Sequence, residues 1–130
     1  MAIVGVGIDI VDVGRMKRAL GAGSRGERFK RRVFTDEERA YCEGRAARAA
    51  ESYAARFAAK EAVKKALGSP ARFGFAWPDI EVIRLASGAP RIVLHGRTKA
   101  KAESMGASVI HLSLSHVETF AVAQAVVERA

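Results

Sequence analysis

Cysteine, histidine and aromatic residues are scarce in this chain, acids are outnumbered, and no long apolar run is present. The single cysteine, Cys42, excludes an internal disulfide and suits a reducing compartment such as the cytoplasm. One cysteine and three histidines, at no ligand spacing, leave no basis for a zinc site. No G-x-S-x-G elbow occurs, which argues against serine-hydrolase chemistry. The apolar runs fall far short of the roughly 20 residues that a membrane span needs. The opening MAIVGVGID reaches an aspartate at position 9 without a basic leader, so a signal peptide is not expected there and neither is a membrane role. Gly5-x-Gly7 lacks the third glycine of a dinucleotide fingerprint.

Basic residues are abundant. The net charge is +8, and the stretch from Arg15 to Arg32 holds eight Lys/Arg against one acid, Glu27. That stretch contains Arg15, Arg18, Arg25, Arg28, Arg31 and Arg32, and its local density points to an anionic partner. With 130 residues, about half of them apolar, residues 1–130 are expected to form one domain with a small core.

The order of periodicities predicts an α+β fold. Residues 2–9 read as a strand with Val4, Val6 and Ile8 on one face and Gly5, Gly7 and Asp9 on the other. Helices are expected over 12–20 and 26–33, and from the capping box Thr35–Glu38 to Gly44. The strongest helical segment is 46–67, rich in alanine and stopped by Gly68 and Pro70. A loop over 69–78 leads to a hairpin, 79–86 and 91–95, turning at Ser87-Gly88. A short helix over 97–105 and strands over 109–116 and 119–128 complete the chain.

Asp9 stands at the end of an apolar strand, on a face that two glycines leave bare. It suits either a hard cation, which takes oxygen ligands, or the N-cap of the next helix. On the long helix, Arg56, Lys60 and Lys64 form one stripe, with Phe57, Glu61 and Lys65 beside it. Glu61 and Lys65 are spaced as a solvated i,i+4 pair as readily as a chemical one. Alanines at 54, 55, 58, 59 and 62 flatten the flanks for close packing. His111 alternates with Leu112 and Leu114, next to Ser113, without an evident acid partner, as structural strand histidines often do.

Together these segments resemble the holo-acyl-carrier-protein synthase branch of the 4′-phosphopantetheinyl transferases. The resemblance rests on Gly5-Val-Gly7-Ile-Asp9-Ile10 with Arg15, on Arg56-Phe-Ala-Ala-Lys60-Glu61-Ala-Val-Lys64-Lys65-Ala-Leu-Gly68, on Asp79-Ile-Glu81, on Gly88-x-Pro90 and on His111-x-Ser113-Leu-Ser115-His116. The motifs come in family order and span nearly the whole chain. The resemblance implies a single-domain fold with an antiparallel sheet packed on the long helix, assembled as a homotrimer with active sites between subunits. It implies Mg²⁺-dependent transfer of 4′-phosphopantetheine from coenzyme A to a serine of an acyl carrier protein, giving adenosine 3′,5′-bisphosphate, in support of fatty acid biosynthesis.

Roles carry over by position. Asp9 and Glu61 resemble the carboxylates that hold the metal against the pyrophosphate, and Lys65 the lysine at the phosphate. Arg56, Lys60 and His111 fall where the family binds phosphates of coenzyme A. Arg48 falls near the 3′-phosphate, and Gly88 and Pro90 near the adenine. Arg15 and the arginines to Arg32 match the carrier-protein docking helix. The chain departs at Ala47-Arg48, where some relatives have two adjacent basic residues; Arg45 is a candidate to share that contact. A nucleic-acid binder fits the charge, but in double-stranded-RNA-binding domains the basic helix follows the sheet, whereas here it precedes most strands, and aromatics are only 7 % of the chain. An oligomerisation module would explain the alanines but not Asp9 with Glu61. Nucleic acid is therefore not the expected partner.

Overall fold

A computed structural model describes residues 2–68 and 75–130. Strand β1, Ala2–Asp12, is followed by helices α1 (Val13–Leu20), α2 (Ser24–Val33), α3 (Asp36–Glu43) and α4 (Ala49–Ala66). The hairpin β2 (Ile80–Arg84) and β3 (Pro90–Leu94) comes next, then α5 (Gly96–Ser104), β4 (Ala107–His116) and β5 (Phe120–Arg129). β1, β5 and β4 form one antiparallel sheet in that order, and β2 with β3 a separate two-stranded sheet. The α+β reading holds, with an antiparallel sheet packed on the long helix.

The boundaries shift for identifiable reasons. β1 runs on to Asp12 because its ladder with β5 continues to the pair Asp12–Phe120. Asp12, not Asp9, then caps α1, accepting from the Arg15 N–H at 3.0 Å. The N-cap alternative for Asp9 thus falls away. α4 starts at Ala49 rather than 46 because Ala46 takes φ 53°, outside the helical region, leaving a 3₁₀ turn over Ala46–Arg48. A second 3₁₀ turn, Trp77–Asp79, occupies the end of the segment read as loop, whose positions 69–74 lie outside the described residues.

α4 crosses β1 and β5 at unusually close range. A Cβ on Gly5 would lie 1.9 Å from the Ala66 carbonyl oxygen, and one on Gly7 1.9 Å from that of Ala62. The two glycines therefore let helix backbone rest on strand backbone. Ala58, Ala59, Ala62 and Val63 meet Ala123, Ala125 and Val127 there to form the core. A second cluster under α1–α3 gathers Val13, Met16, Phe34, Cys42 and Tyr53. The opposite face of the sheet is bare. Val6, Ile8 and Ile10 are 55 %, 57 % and 65 % exposed.

Candidate active site

β1 carries Asp9 on its glycine side, facing α4, and α4 carries Glu61 one helical turn before Lys65. Asp9 and Glu61 line one cavity of about 410 Å³, together with Arg15, Met16, Phe29 and Phe57. Lys65 donates to Asp9 Oδ1 at 3.0 Å and to the Ile8 carbonyl at 2.9 Å. Glu61 pairs with Lys64 at 3.3 Å. The solvated Glu61–Lys65 pair therefore does not form. Lys65 instead bridges helix to strand, and each carboxylate keeps a lysine of its own. Lys64 also sits 4.5 Å from the centre of the Trp77 ring, a cation–π contact.

Among the described residues no three His, Cys, Asp or Glu side chains cluster as a metal cage. Two carboxylates in one cavity fit a hard cation that draws its remaining ligands from water and substrate oxygens. Arg15 borders the same cavity, on the first turn of α1.

A smaller hollow of about 200 Å³ is lined by Arg56, Gly88 and Pro90, with Tyr41, Arg45 and Arg84. Gly88 takes φ 89°, a left-handed conformation that favours glycine, so the β2–β3 turn folds back tightly there. Arg56 is 5 % exposed, and its guanidinium lies over the Tyr41 ring, 4.0 Å from the centroid. Its Nε finds no partner among the described residues. Arg84 donates to the Tyr41 hydroxyl. Tyr41 and Arg84 escaped the sequence reading, because only the fold brings α3 and the β2 end beside α4. Arg48 borders a neighbouring cavity with Lys17, Glu51 and His116, where His116 and Glu51 are 2.9 Å apart.

Two candidates stand elsewhere. Lys60 is fully buried. Its ammonium reaches Glu38 Oε1 at 2.8 Å, the Ile80 carbonyl at 2.6 Å and the Trp77 carbonyl at 3.2 Å, which uses all three donors. Burial pulls this lysine below its ordinary range, against the opposing pull of Glu38. The expectation that Lys60 meets a phosphate is corrected accordingly, since no donor is left to offer. His111 lies on the outer face of β4, turned away from α4. Its Nε2 is 3.1 Å from Glu128 Oε1, so the fold supplies the acid partner that the sequence did not show. Within one chain it does not join Asp9 and Glu61.

The six arginines of α1 and α2 are all exposed and form no ion pair among the described residues. Lys30 differs, being held by Glu27 at 3.3 Å and Glu43 at 3.0 Å.

Fold, cavity and comparisons agree on the class. The sequence profile of the 4′-phosphopantetheinyl transferase superfamily matches residues 5–125, and the chain belongs to that superfamily. Holo-[acyl-carrier-protein] synthase of Koribacter versatilis is 44 % identical over 126 residues, covering 97 % of this chain and 98 % of the relative. The crystal structure of holo-[acyl-carrier-protein] synthase from Neisseria meningitidis superposes with a TM-score of 0.86 at 32 % identity, covering 98 % of this chain and 100 % of that one. That from Bacillus anthracis, in complex with CoA (3′,5′-ADP), gives 0.79 at 36 % identity, with 98 % of each chain covered. Within the superfamily the protein is an enzyme of the holo-[acyl-carrier-protein] synthase branch.

Proposed function

We propose that this enzyme transfers 4′-phosphopantetheine from coenzyme A to a serine of an apo-acyl carrier protein, with Mg²⁺, leaving adenosine 3′,5′-bisphosphate and supporting fatty acid biosynthesis in the cytoplasm. The observation that carries it is the single cavity shared by Asp9 and Glu61; a separate hollow gathers Arg56, Gly88 and Pro90. Residues 1–130 act here as one transferase domain.

Attack of a serine hydroxyl on the β-phosphate builds charge on phosphate oxygens. Asp9 and Glu61 would hold Mg²⁺, which when bound supplies positive charge against those oxygens. Lys65, 3.0 Å from Asp9, would contact the same phosphate. Arg56, fixed by its stack on Tyr41, offers its guanidinium to the nucleotide phosphates, and Arg45 or Arg84 supplies the second cation that Ala47 withholds. Arg48 meets the 3′-phosphate from its adjoining cavity. The exposed arginines Arg15, Arg18, Arg25, Arg28, Arg31 and Arg32 face an acidic carrier protein and pair with its carboxylates two oxygens at a time.

The bare sheet face supports assembly. Val6, Ile8, Ile10, Val109 and Phe120 are all at least 40 % exposed. A face this apolar is covered when copies associate, and the family resemblance sets the number at three. His111 shares that face, so it meets the site of a neighbouring copy. Light scattering should give a trimer; an active monomer would contradict the assembly.

The test of the reaction is mass spectrometry of apo-carrier protein after mixing with the enzyme, coenzyme A and Mg²⁺. The carrier should gain one phosphopantetheine, and only with all components present. An unmodified carrier would overturn the proposal.

A further inference from the structure

A buried ion pair, one member of which precedes Glu61 in sequence, takes no part in the chemistry above. Glu38 is 1 % and Lys60 0 % exposed, and their charged ends are 2.8 Å apart. Glu38 is also the N3 residue of the capping box of α3. Its Oε1 accepts from the Thr35 N–H at 2.9 Å, and its Oε2 accepts from the Val82 N–H at 2.8 Å. Lys60 in turn donates to the carbonyls of Ile80 and Trp77. One pair thus ties the start of α3, the middle of α4, the start of β2 and the turn before it.

α4 needs such a tie. Its contact with β1 and β5 is made largely by alanine and glycine, with Val63 and Val127, and on the cavity side, among the described residues, only the half-exposed Lys65 adds a polar tie to β1. Glu61 is the next residue after Lys60, so whatever fixes Lys60 about the helix axis also fixes Glu61. A side-chain tip lies about 5–6 Å from a helix axis. A rotation of roughly 20° would therefore move the Glu61 carboxylate by about 2 Å relative to Asp9. Misplacement by about 1 Å can cost on the order of 100-fold in rate.

We propose that Glu38 and Lys60 are positioning residues that lock the rotation of α4 and so hold Glu61 opposite Asp9 in the cavity. The inference rests on the proposed transfer only in assigning Glu61 its use. Neither residue touches substrate; both act through Glu61. A purely stabilising pair makes a different demand. A buried ion pair can often be replaced by apolar residues without loss of stability. If stability were its only duty, such a replacement would also return full activity.

The test is the double variant Glu38→Leu with Lys60→Met, made in the full chain. Its thermal midpoint should lie close to the parent's. Its kcat should fall at least tenfold, while its KM for the carrier protein, set by α1 and α2, stays within about twofold. A crystal structure superposed on β1 should show the Glu61 carboxylate displaced from its parental place beside Asp9. A folded double variant with parental kcat and an unmoved Glu61 would overturn the proposal. Should the double variant not fold, Glu38→Gln decides. It keeps the shape of Glu38 but removes one acceptor, and kcat should drop several-fold with the carrier KM unchanged; parental kcat would again overturn it. All rates are ratios to the parent. A parent that transfers nothing would count against the proposed reaction, whereas an unmoved Glu61 counts against this inference alone.

Discussion

Lys60 and Lys65 lie five residues apart on the same helix, and the fold gives them opposite duties. Lys60 is sealed in the interior with every donor engaged. Lys65 is half exposed and reaches Asp9 at 3.0 Å, with its ammonium open to solvent. The difference follows from helix geometry. Five residues advance the helix by about 500°, a net rotation of about 140°, enough to carry a side chain from the packed flank to the β1 edge where Asp9 stands. In a helix this rich in alanine, direction more than residue type decides what a charged residue does.

The largest effect separating the two faces should be on stability at the buried one. Lys60→Met alone strands the Glu38 carboxylate in the interior, and such an uncompensated charge costs about 3–5 kcal/mol. Urea denaturation reads it. A loss below about 1 kcal/mol would mean that water reaches the pair. Lys65→Met should do the reverse. Its ion pair is too exposed to contribute more than about 1 kcal/mol to stability. Transfer should nevertheless slow by about 10²–10³, the range for losing one charge-stabilising group. Full turnover in this variant would make Lys65 a surface lysine like any other.

The basic face sharpens the contrast further, since on the proposed docking role its charges serve a partner and neither the fold nor the nucleotide. Arg28→Glu should raise the KM for carrier protein several-fold and leave that for coenzyme A unchanged, and added salt should act in the same direction. Equal damage to both substrates would end the docking assignment.

The smallest effect is in pH dependence. A hydrogen bond from Tyr53 at 2.7 Å, then one from Lys30, holds the exposed Glu43 carboxyl below its ordinary 4.5. The same contact with Glu43 raises Lys30 above its ordinary 10.5. A carboxyl with a depressed folded pKa stabilises the fold above its unfolded pKa, and the contribution fades as pH falls through the folded value. Glu43→Gln should therefore shift the acid unfolding transition slightly, and it should also remove most of the stability that Lys30 contributes below its raised folded pKa, because that rise comes first from Glu43. An unchanged acid transition would show that the pair is solvent-screened to nothing.

Much of this arrangement is legible in the sequence. Element order, the capping box, the stop at Gly68 and the two faces of β1 from Gly5 onward follow from local patterns; Val4, read on the face of Val6 and Ile8, packs on the core instead, because the ladder with β5 shifts register between Ile3 and Gly5. The pairing partners do not, because they depend on long-range packing. Glu38 reads as a cap, and nothing local announces that its carboxylate also crosses to a lysine on α4. One clue is available. Lys60 has alanine at 58, 59 and 62, so a residue among those smooth positions is expected to be buried. Periodicity alone likewise separates the faces of β1 without saying which is packed. Here the glycine face takes the helix and the isoleucine face stays bare, the reverse of what hydrophobicity suggests. Tyr41 and Arg84 are hidden for the same reason.

The central claim is that Asp9 and Glu61 act together on the substrate and contribute little to the fold. The most direct measurement takes Asp9→Ala and Glu61→Ala, records thermal unfolding, and follows carrier modification by mass spectrometry on the same samples. The midpoints should stay within a few degrees of the parent, and transfer should fall by about 10²–10³ or more in each. Near-parental transfer in either variant, or a loss of activity matched by unfolding, would contradict it.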